Sequence, residues 1–421
     1  MSNQIKIKSY NKVWTILSEC ILFLFVVVGY IEKIQSLYSL VMVLDCLLAI
    51  FSFFYIWIYF FIYKELRLNI ISRALLFLVS SILFSSIVRQ SDSPRLLVAL
   101  FALLELGAVF IALIILHDKY EKILIPCYFY IIAFSLIYSL LSIFMGLETG
   151  ESRIGGLSNQ TNSLAVVASS SLLIALSLLG KRESLIKTVL FNSVFIVAIP
   201  FFAFTFSKTD SRTSFFALLI ALCFYFVFSI LFSDNKKGSL ITGLISLIVS
   251  IFIITLLLSS SRSMLNNSLS RLTSGRTDIW ANVLTRMDIT DYLFGFGGNS
   301  CEMKKLLLER GASLGLMETI TEKHLMHNIF LQFLVEYGAV AALSFIVSYV
   351  TIIVVSFSAL RKEKDKERKR IVLLSAILLV FFFVHSLAES SIFFIGGAEQ
   401  ILFILSFAVI YSYYRKKRSE E

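Results

Sequence analysis

Apolar runs of 18 residues or more recur from one end of this chain to the other, and they leave few folds open. Each is long enough to cross about 30 Å of hydrocarbon as a helix. In hydrocarbon the backbone N–H and C=O groups must be satisfied internally, which leaves helices or a closed barrel, and long unbroken apolar runs point to helices. Composition agrees: 58% of the 421 residues are hydrophobic and 16% are charged. Soluble domains run at about 45–50% and about 25%. The expected fold is all-α and polytopic, with about twelve transmembrane helices. They are read at about 14–30, 37–63, 74–88, 96–116, 123–147, 162–179, 186–205, 214–232, 239–258, 328–358, 371–388 and 400–414.

Between the ninth and tenth spans lies the one long hydrophilic stretch. The organisation expected is therefore three parts: 1–258 with nine helices, 259–327 as a large extracytoplasmic loop, and 328–421 with three more helices and a tail. Sidedness follows from the basic residues, which favour the cytoplasmic connectors. With the N-terminus inside, the inner connectors carry 24 of the 38 Lys and Arg, seven of them in 361–370 and four in Arg415–Arg418. The short outer connectors carry six: Lys33, Arg89, Arg95, Arg153, Lys208 and Arg212. Both termini are thus expected in the cytoplasm and the loop outside. Lys6, Lys8 and Lys12 precede the first span, but no A-x-A cleavage pattern follows it, so it reads as a retained helix. The net charge of +10 reads as anchoring to anionic inner-leaflet lipid, not as nucleic-acid binding, because no basic soluble domain or binding motif is present. The five cysteines are scattered with no C-x-x-C, which argues against a disulfide framework or a zinc site.

Three outer arginines stand in Gly/Ser/Asn-rich settings: Arg153 before Asn159 and Asn162, Arg212 after Ser211, and Arg276 after Gly275. One such arginine commonly snorkels to headgroups; three favour an anion site over that reading, since the planar guanidinium donates two parallel hydrogen bonds to phosphate oxygens. His327 opens the tenth span, where a helix start favours anions and an imidazole can take a proton from a hydroxyl. Asn328, Gln332 and Glu336 follow at helical i+4 steps and form a polar stripe that should face protein, with interhelical hydrogen bonding as its plain role. His385 and Glu389 lie near the outer end of the eleventh span, and Glu389 is a candidate supporting residue. The Gly295–Gly298 run follows no strand, so it reads as a tight turn and not as a nucleotide loop. Asp278, Asp288 and Asp291 form no D-x-D, so no metal is expected. Glu19, Asp45 and Glu105 lie within spans without a basic partner on the same span, which gives a transporter reading little to rest on.

Together these pieces resemble the O-antigen ligase and Wzy-type polysaccharide polymerase superfamily, over roughly 150–395. The resemblance rests on Arg153 with Gly156, Asn159 and Asn162; on Ser211-Arg212; on Gly275-Arg276 with Trp280; on Leu293–Gly297; on His327-Asn328 with Leu331, Gln332, Glu336 and Gly338; and on His385 with Glu389. It implies an enzyme of the bacterial inner (plasma) membrane performing metal-independent, inverting glycosyl transfer on the outer face, with no cofactor. The implied substrate is an undecaprenyl-diphosphate-linked oligosaccharide, and flippase and chain-length regulator proteins are the implied partner candidates. Arg212 and Arg276 would bind the diphosphate and His327 would assist the acceptor hydroxyl; Arg153, Asn159, Asn162, Asn328, Gln332 and Glu389 would contact substrate. Ligases often show His-x-His-Asn followed by an acid. Here the run is His324-Leu325-Met326-His327-Asn328-Ile329, which favours a polymerase of O-antigen or capsule repeat units. A ligase acting on a lipid A core or similar acceptor is the alternative within the class, and a flippase or other transporter the alternative outside it.

Overall fold

The computed structural model describes residues 2–31, 38–63, 70–89, 107–108, 111, 120–149, 153–158, 161–179, 185–232, 276–296, 300–311, 326–389, 402–407 and 409–410. Among them there is no strand. The helices are α1 (Ser2–Ile31), α2 (Tyr38–Tyr63), α3 (Ile70–Val88), α4 (Tyr120–Thr149), α5 (Thr161–Leu178), α6 (Leu185–Thr209) and α7 (Arg212–Phe232). Three short helices follow, α8 (Arg276–Leu284), α9 (Ile289–Phe294) and α10 (Ser300–Glu309), and then the long α11 (Ile329–Lys362) and α12 (Lys366–Ser386). Among the described residues six helices are long and apolar enough to cross a membrane, and α1, α2 and α3 each contain a shorter apolar stretch. The protein is an all-α, polytopic membrane protein. Nine of the expected spans coincide with these helices. The ninth lies outside the described residues; of the fourth only 107, 108 and 111 are described, and of the twelfth only 402–407 and 409–410, all helical.

The centre of the bundle is α5. Its residues from Ser163 to Leu178 are all buried, which suits a helix apolar on every side. It packs on α4, α6, α7 and α12, and α12 packs in turn on α7 and α11. Alanines and serines on α5 bring neighbouring backbones close, the usual solution where lipid offers no hydrophobic gain from association. Its hydroxyls turn back on their own helix: Ser169 donates to the Ala165 carbonyl at 2.7 Å and Ser170 to the Val166 carbonyl at 2.6 Å. These two hydroxyls are thus satisfied within an apolar interior. Between helices, polar pairs fix the packing. Ser18 on α1 meets Tyr55 on α2 at 2.6 Å, Tyr30 on α1 meets Ser135 on α4 at 2.6 Å, and Tyr349 on α11 donates to the Leu379 carbonyl of α12 at 2.8 Å.

The basic stretch 361–370, counted above among the inner connectors, is mostly helix. α11 runs to Lys362, only 363–365 intervene, and Asp365 caps α12 by accepting the Arg368 N–H at 2.9 Å. The helical hairpin is this tight because Asp365 supplies the N-cap acceptor.

The described parts of the hydrophilic segment before α11, residues 276–296, 300–311 and 326–327, are folded as well. Ile279 and Val283 on α8, Met303 and Leu307 on α10, and Met287, Phe296 and Met326 form a small core with Val335 of α11. This cap sits across α3 and α11. Asp291 of α9 is fully buried, with Arg89 at the end of α3 donating to one oxygen at 2.6 Å and Arg310 to the other at 2.5 Å. Arg310 also reaches Asp288 at 3.1 Å, and Asp288 with Asp291 closes a capping box at the start of α9. The hydrogen bond from the Asp291 amide holds the Asp288 carboxyl below its usual range, the Arg310 charge adding to this against a small opposing effect of burial. Beside this clamp, Ser85 donates to the Phe294 carbonyl and the Phe296 amide donates to Val335 at 2.8 Å.

One feature of α11 departs from the sequence reading. The tenth span is not a single straight helix, because Gly338 has φ 82° and ψ 177° and breaks it. The carbonyl of Leu293 occupies the space where a side chain at 338 would be. The segment from Ile329 to Tyr337 therefore lies between cap and bundle, and the polar stripe of Asn328, Gln332 and Glu336 faces inward as expected.

Candidate functional site

The residues singled out from sequence meet at one end of the bundle, where α5 and α7 begin, α12 ends and the cap rests on α11. The site is built outward from Glu389, three residues beyond the last residue of α12 and only 5% exposed. Its Oε1 accepts from Asn162 Nδ2 on α5 at 2.5 Å and from Arg276 Nη2 at the start of α8 at 2.5 Å. Its Oε2 faces His327 Nδ1 at 3.3 Å. Arg276 Nη1 donates to the Ala388 carbonyl and, at 3.4 Å, to Thr213 Oγ1 on α7. Ser211 donates to Asn162 Oδ1 at 2.8 Å and so holds the amide that holds the carboxylate.

Burial pushes the Glu389 carboxyl upward. The hydrogen bond from His327 and the charges of Arg276, His385 and His327 more than offset this, and the group sits below the ordinary carboxylate range. A depressed carboxyl stabilises the fold above its unfolded-state value and loses that contribution as pH falls through the folded value. For Glu389 that loss lies in the acid range, below the ordinary carboxylate value.

His327 is held at a defined angle by its neighbours. Met326 is fully buried; its N–H donates to Gln332 Oε1 at 2.9 Å, and its carbonyl accepts from Trp280 Nε1 at 2.5 Å. Asn328 caps α11, accepting the Phe330 and Leu331 amides at 3.0 and 3.1 Å, while its own amide donates to the Leu387 carbonyl at 2.8 Å. His327 between them has φ 45°, the left-handed region that side chains with a Cβ disfavour. Non-glycine residues held there cost about 1–3 kcal/mol and cluster at functional sites. Its side chain is 27% exposed, so it opens to the surface while Glu389 stands behind it. Nδ1 is thus the ring nitrogen that faces Glu389, and Nε2 is the other.

The structure brings together His327, Arg276, Asn162 and Glu389, with Asn328 one residue away. Arg212 is exposed at the first residue of α7, between Ser211 and Thr213, which both belong to the cluster. Two expected residues are placed elsewhere. Arg153 reaches Asp210, donating to its carbonyl at 3.0 Å and lying 3.7 Å from its carboxylate, on the α6–α7 connection. Gln332 is buried, and its amide spans the Met326 N–H and Glu336, so it holds the turn that carries His327. Asn159 lies outside the described residues, as do His324, Gly275 and 297–299. Ser211 and Thr213 were not singled out for their own side chains, and their only signal was adjacency to Arg212. Among the described residues no group of three His, Cys, Asp or Glu side chains is close enough to hold a metal ion. Chemically, the cluster offers an imidazole backed by a carboxylate, next to guanidinium groups at the mouth of a helix.

The family model described as O-antigen ligase matches residues 194–346. That stretch runs from α6 through α7 and the cap into α11, and the resemblance to the O-antigen ligase and Wzy-type superfamily holds there. It contains Arg212, Arg276, His327, Asn328 and Gln332, whereas Arg153, Asn162 and Glu389 lie outside it. No curated protein matches the chain.

Proposed function

We propose that this membrane enzyme of O-antigen or related polysaccharide assembly polymerises undecaprenyl-diphosphate-linked oligosaccharide repeat units. The observation that carries the reading is the convergence of Arg276 and His327 on the two oxygens of buried Glu389. In the proposed reaction a hydroxyl of the acceptor sugar attacks the anomeric carbon of the donor. A new glycosidic C–O bond forms, the bond to the carrier diphosphate breaks, and undecaprenyl diphosphate leaves. His327 Nε2 takes the hydroxyl proton and returns it to solvent. Arg276, with Arg212 beside it, offsets the charge growing on the leaving diphosphate, which is where fixed cations help most. Glu389 keeps the imidazole in the tautomer that can act as base. Arg153 fits a peripheral contact to substrate or headgroup, because it is half-exposed and engaged with Asp210.

The family description favours a second reading, transfer of finished glycan to a lipid A core or similar acceptor. The spacing His324-x-x-His327-Asn328 and the apolar Ile329 after it favour the polymerase. Surface glycan from a deletion strain separates the two. Single repeat units on the surface are the expected result. Long polymer left on the carrier lipid would make the enzyme a ligase, and unaltered glycan would remove it from this pathway.

The reading also needs the site to face out of the cell, with both termini in the cytoplasm. It is supported by the contacts among residues expected outside: Arg89 binds Asp291 of the cap, Arg276 of the cap reaches Thr213, and the neighbouring Asp210 accepts from Arg153. A periplasm-active reporter fused at Ser313 is expected to be active, and one fused at Lys366 inactive. The opposite pattern would place the site in the cytoplasm and end the proposal.

A further inference from the structure

Arg276 cannot serve a diphosphate at no cost, because its fork is already engaged. Nη2 lies on Glu389 Oε1 at 2.5 Å, Nη1 donates to the Ala388 carbonyl, and the side chain is 15% exposed. A guanidinium binds carboxylate and phosphate with the same pair of donors, so the two anions compete for it. Glu389, in contrast, has somewhere else to go. Its other oxygen already faces His327 Nδ1 at 3.3 Å, a distance with room to shorten. Asn162, held from behind by Ser211, keeps donating to Oε1 whether or not Arg276 does. The buried carboxylate is therefore not orphaned by losing the arginine, which would otherwise be costly.

We propose that Glu389 is a positioning residue that exchanges partners: the diphosphate of the carrier lipid draws Arg276 away, and the released carboxylate then closes on His327. This deepens the functional reading above and rests on it. A carboxylate shared with a guanidinium is largely neutralised. Once that guanidinium has turned to phosphate, the full negative charge stabilises a protonated imidazole and makes Nε2 a stronger base. The base is thus raised only when a leaving group is held, which protects the site from idle hydrolysis chemistry. The charged and titratable groups facing the carboxylate are Arg276 from α8, His327 from the turn before α11 and His385 from α12 itself. α5 and α7 bring the neutral Asn162, Ser211 and Thr213.

The exchange makes an unusual prediction for Glu389→Gln in the full-length protein in nanodiscs. Removing a competitor should tighten binding of undecaprenyl diphosphate, by about 5–150-fold on the usual scale of coupled sites. Turnover should fall by about 10–100-fold, as for loss of a residue that orients a functional imidazole. A merely structural glutamate would not give tighter binding with slower turnover. Unchanged or weaker binding in Glu389→Gln overturns the exchange. Arg276→Ala tests the underlying site separately: it should weaken the same binding at least about tenfold, and parent-like binding would overturn the site reading itself. The parent enzyme gives a readout that needs no variant. The acid limb of kcat, which reports the bound state, should lie at higher pH than that of kcat/KM, which reports the free enzyme. Coincident limbs also overturn the exchange.

Discussion

Replacing His327 by alanine is expected to lower glycosyl transfer by about 10²–10⁴, the usual worth of a positioned general base. The fold should survive, since the backbone on either side is fixed by other groups. Gln332 and Trp280 hold Met326, and Asn328 holds both the first turn of α11 and the Leu387 carbonyl. Alanine at 327 must take the same left-handed backbone, where histidine is better tolerated than most residues with a Cβ, so thermal unfolding of the variant is measured beside its rate. His327→Gln separates two roles, because an amide can donate a hydrogen bond to phosphate but cannot take up a proton. The measurement is a reconstituted assay with purified lipid-linked repeat units. Full activity in His327→Gln would reduce the residue to a phosphate contact, and an alanine variant as fast as the parent would take it out of the mechanism.

What the sequence made legible was what local pattern controls. Long apolar runs specify their own helices in hydrocarbon, so the spans were readable one by one. Asn328 was legible as a helix start because its short polar side chain can accept the first free amides. The cap's helices left a fainter trace. Ile279 and Val283, like Met303 and Leu307, are four apart, but the segment's polar majority hid this spacing and it read as loop. Gly338 was visible inside an apolar run, yet its consequence depends on Leu293 arriving from the cap, and no local signal announces that. The pairings that make the site are longer-range still. Glu389 lies 113 positions from Arg276 and 62 from His327, and Arg89 lies 202 from Asp291. One sequence carries no signal for such distances. It supplied Arg89, Asp288 and Asp291 as isolated outer charges, and only the fold turns them into a clamp. Gln332 stood on a polar stripe in the sequence, and its buried amide spans the Met326 N–H and Glu336; the stripe alone does not say which groups it meets.

Substituting alanine for Gly338 is expected to destabilise the protein strongly. A Cβ at 338 would overlap the Leu293 carbonyl and crowd the Phe294 amide, and these are backbone atoms that no rotamer can move aside. The crossing is reciprocal: a Cβ at Gly295, φ 65°, would overlap the backbone of Glu336 and Tyr337. Two glycines thus let α9 and α11 touch backbone to backbone, and the bond from the Phe296 amide to Val335 spans the contact. Two costs add in Gly338→Ala. The backbone at φ 82°, ψ 177°, a region essentially reserved for glycine, alone costs a residue with a Cβ roughly 1–3 kcal/mol. Forcing the crossing apart adds about 1–3 kcal/mol or more, as overpacking does. Gly311 is the control, since it too has a positive φ, 85°, but nothing lies within 4 Å of its added Cβ. Gly311→Ala should therefore lose only the backbone component. In detergent, thermal unfolding should order the proteins as parent, Gly311→Ala, then Gly338→Ala well below both. Activity should follow the last drop, because the displaced cap carries Arg276 and the turn that presents His327. Equal melting temperatures for the two variants would mean that the α9–α11 crossing has room to spare and that the cap is not seated on α11 through these glycines.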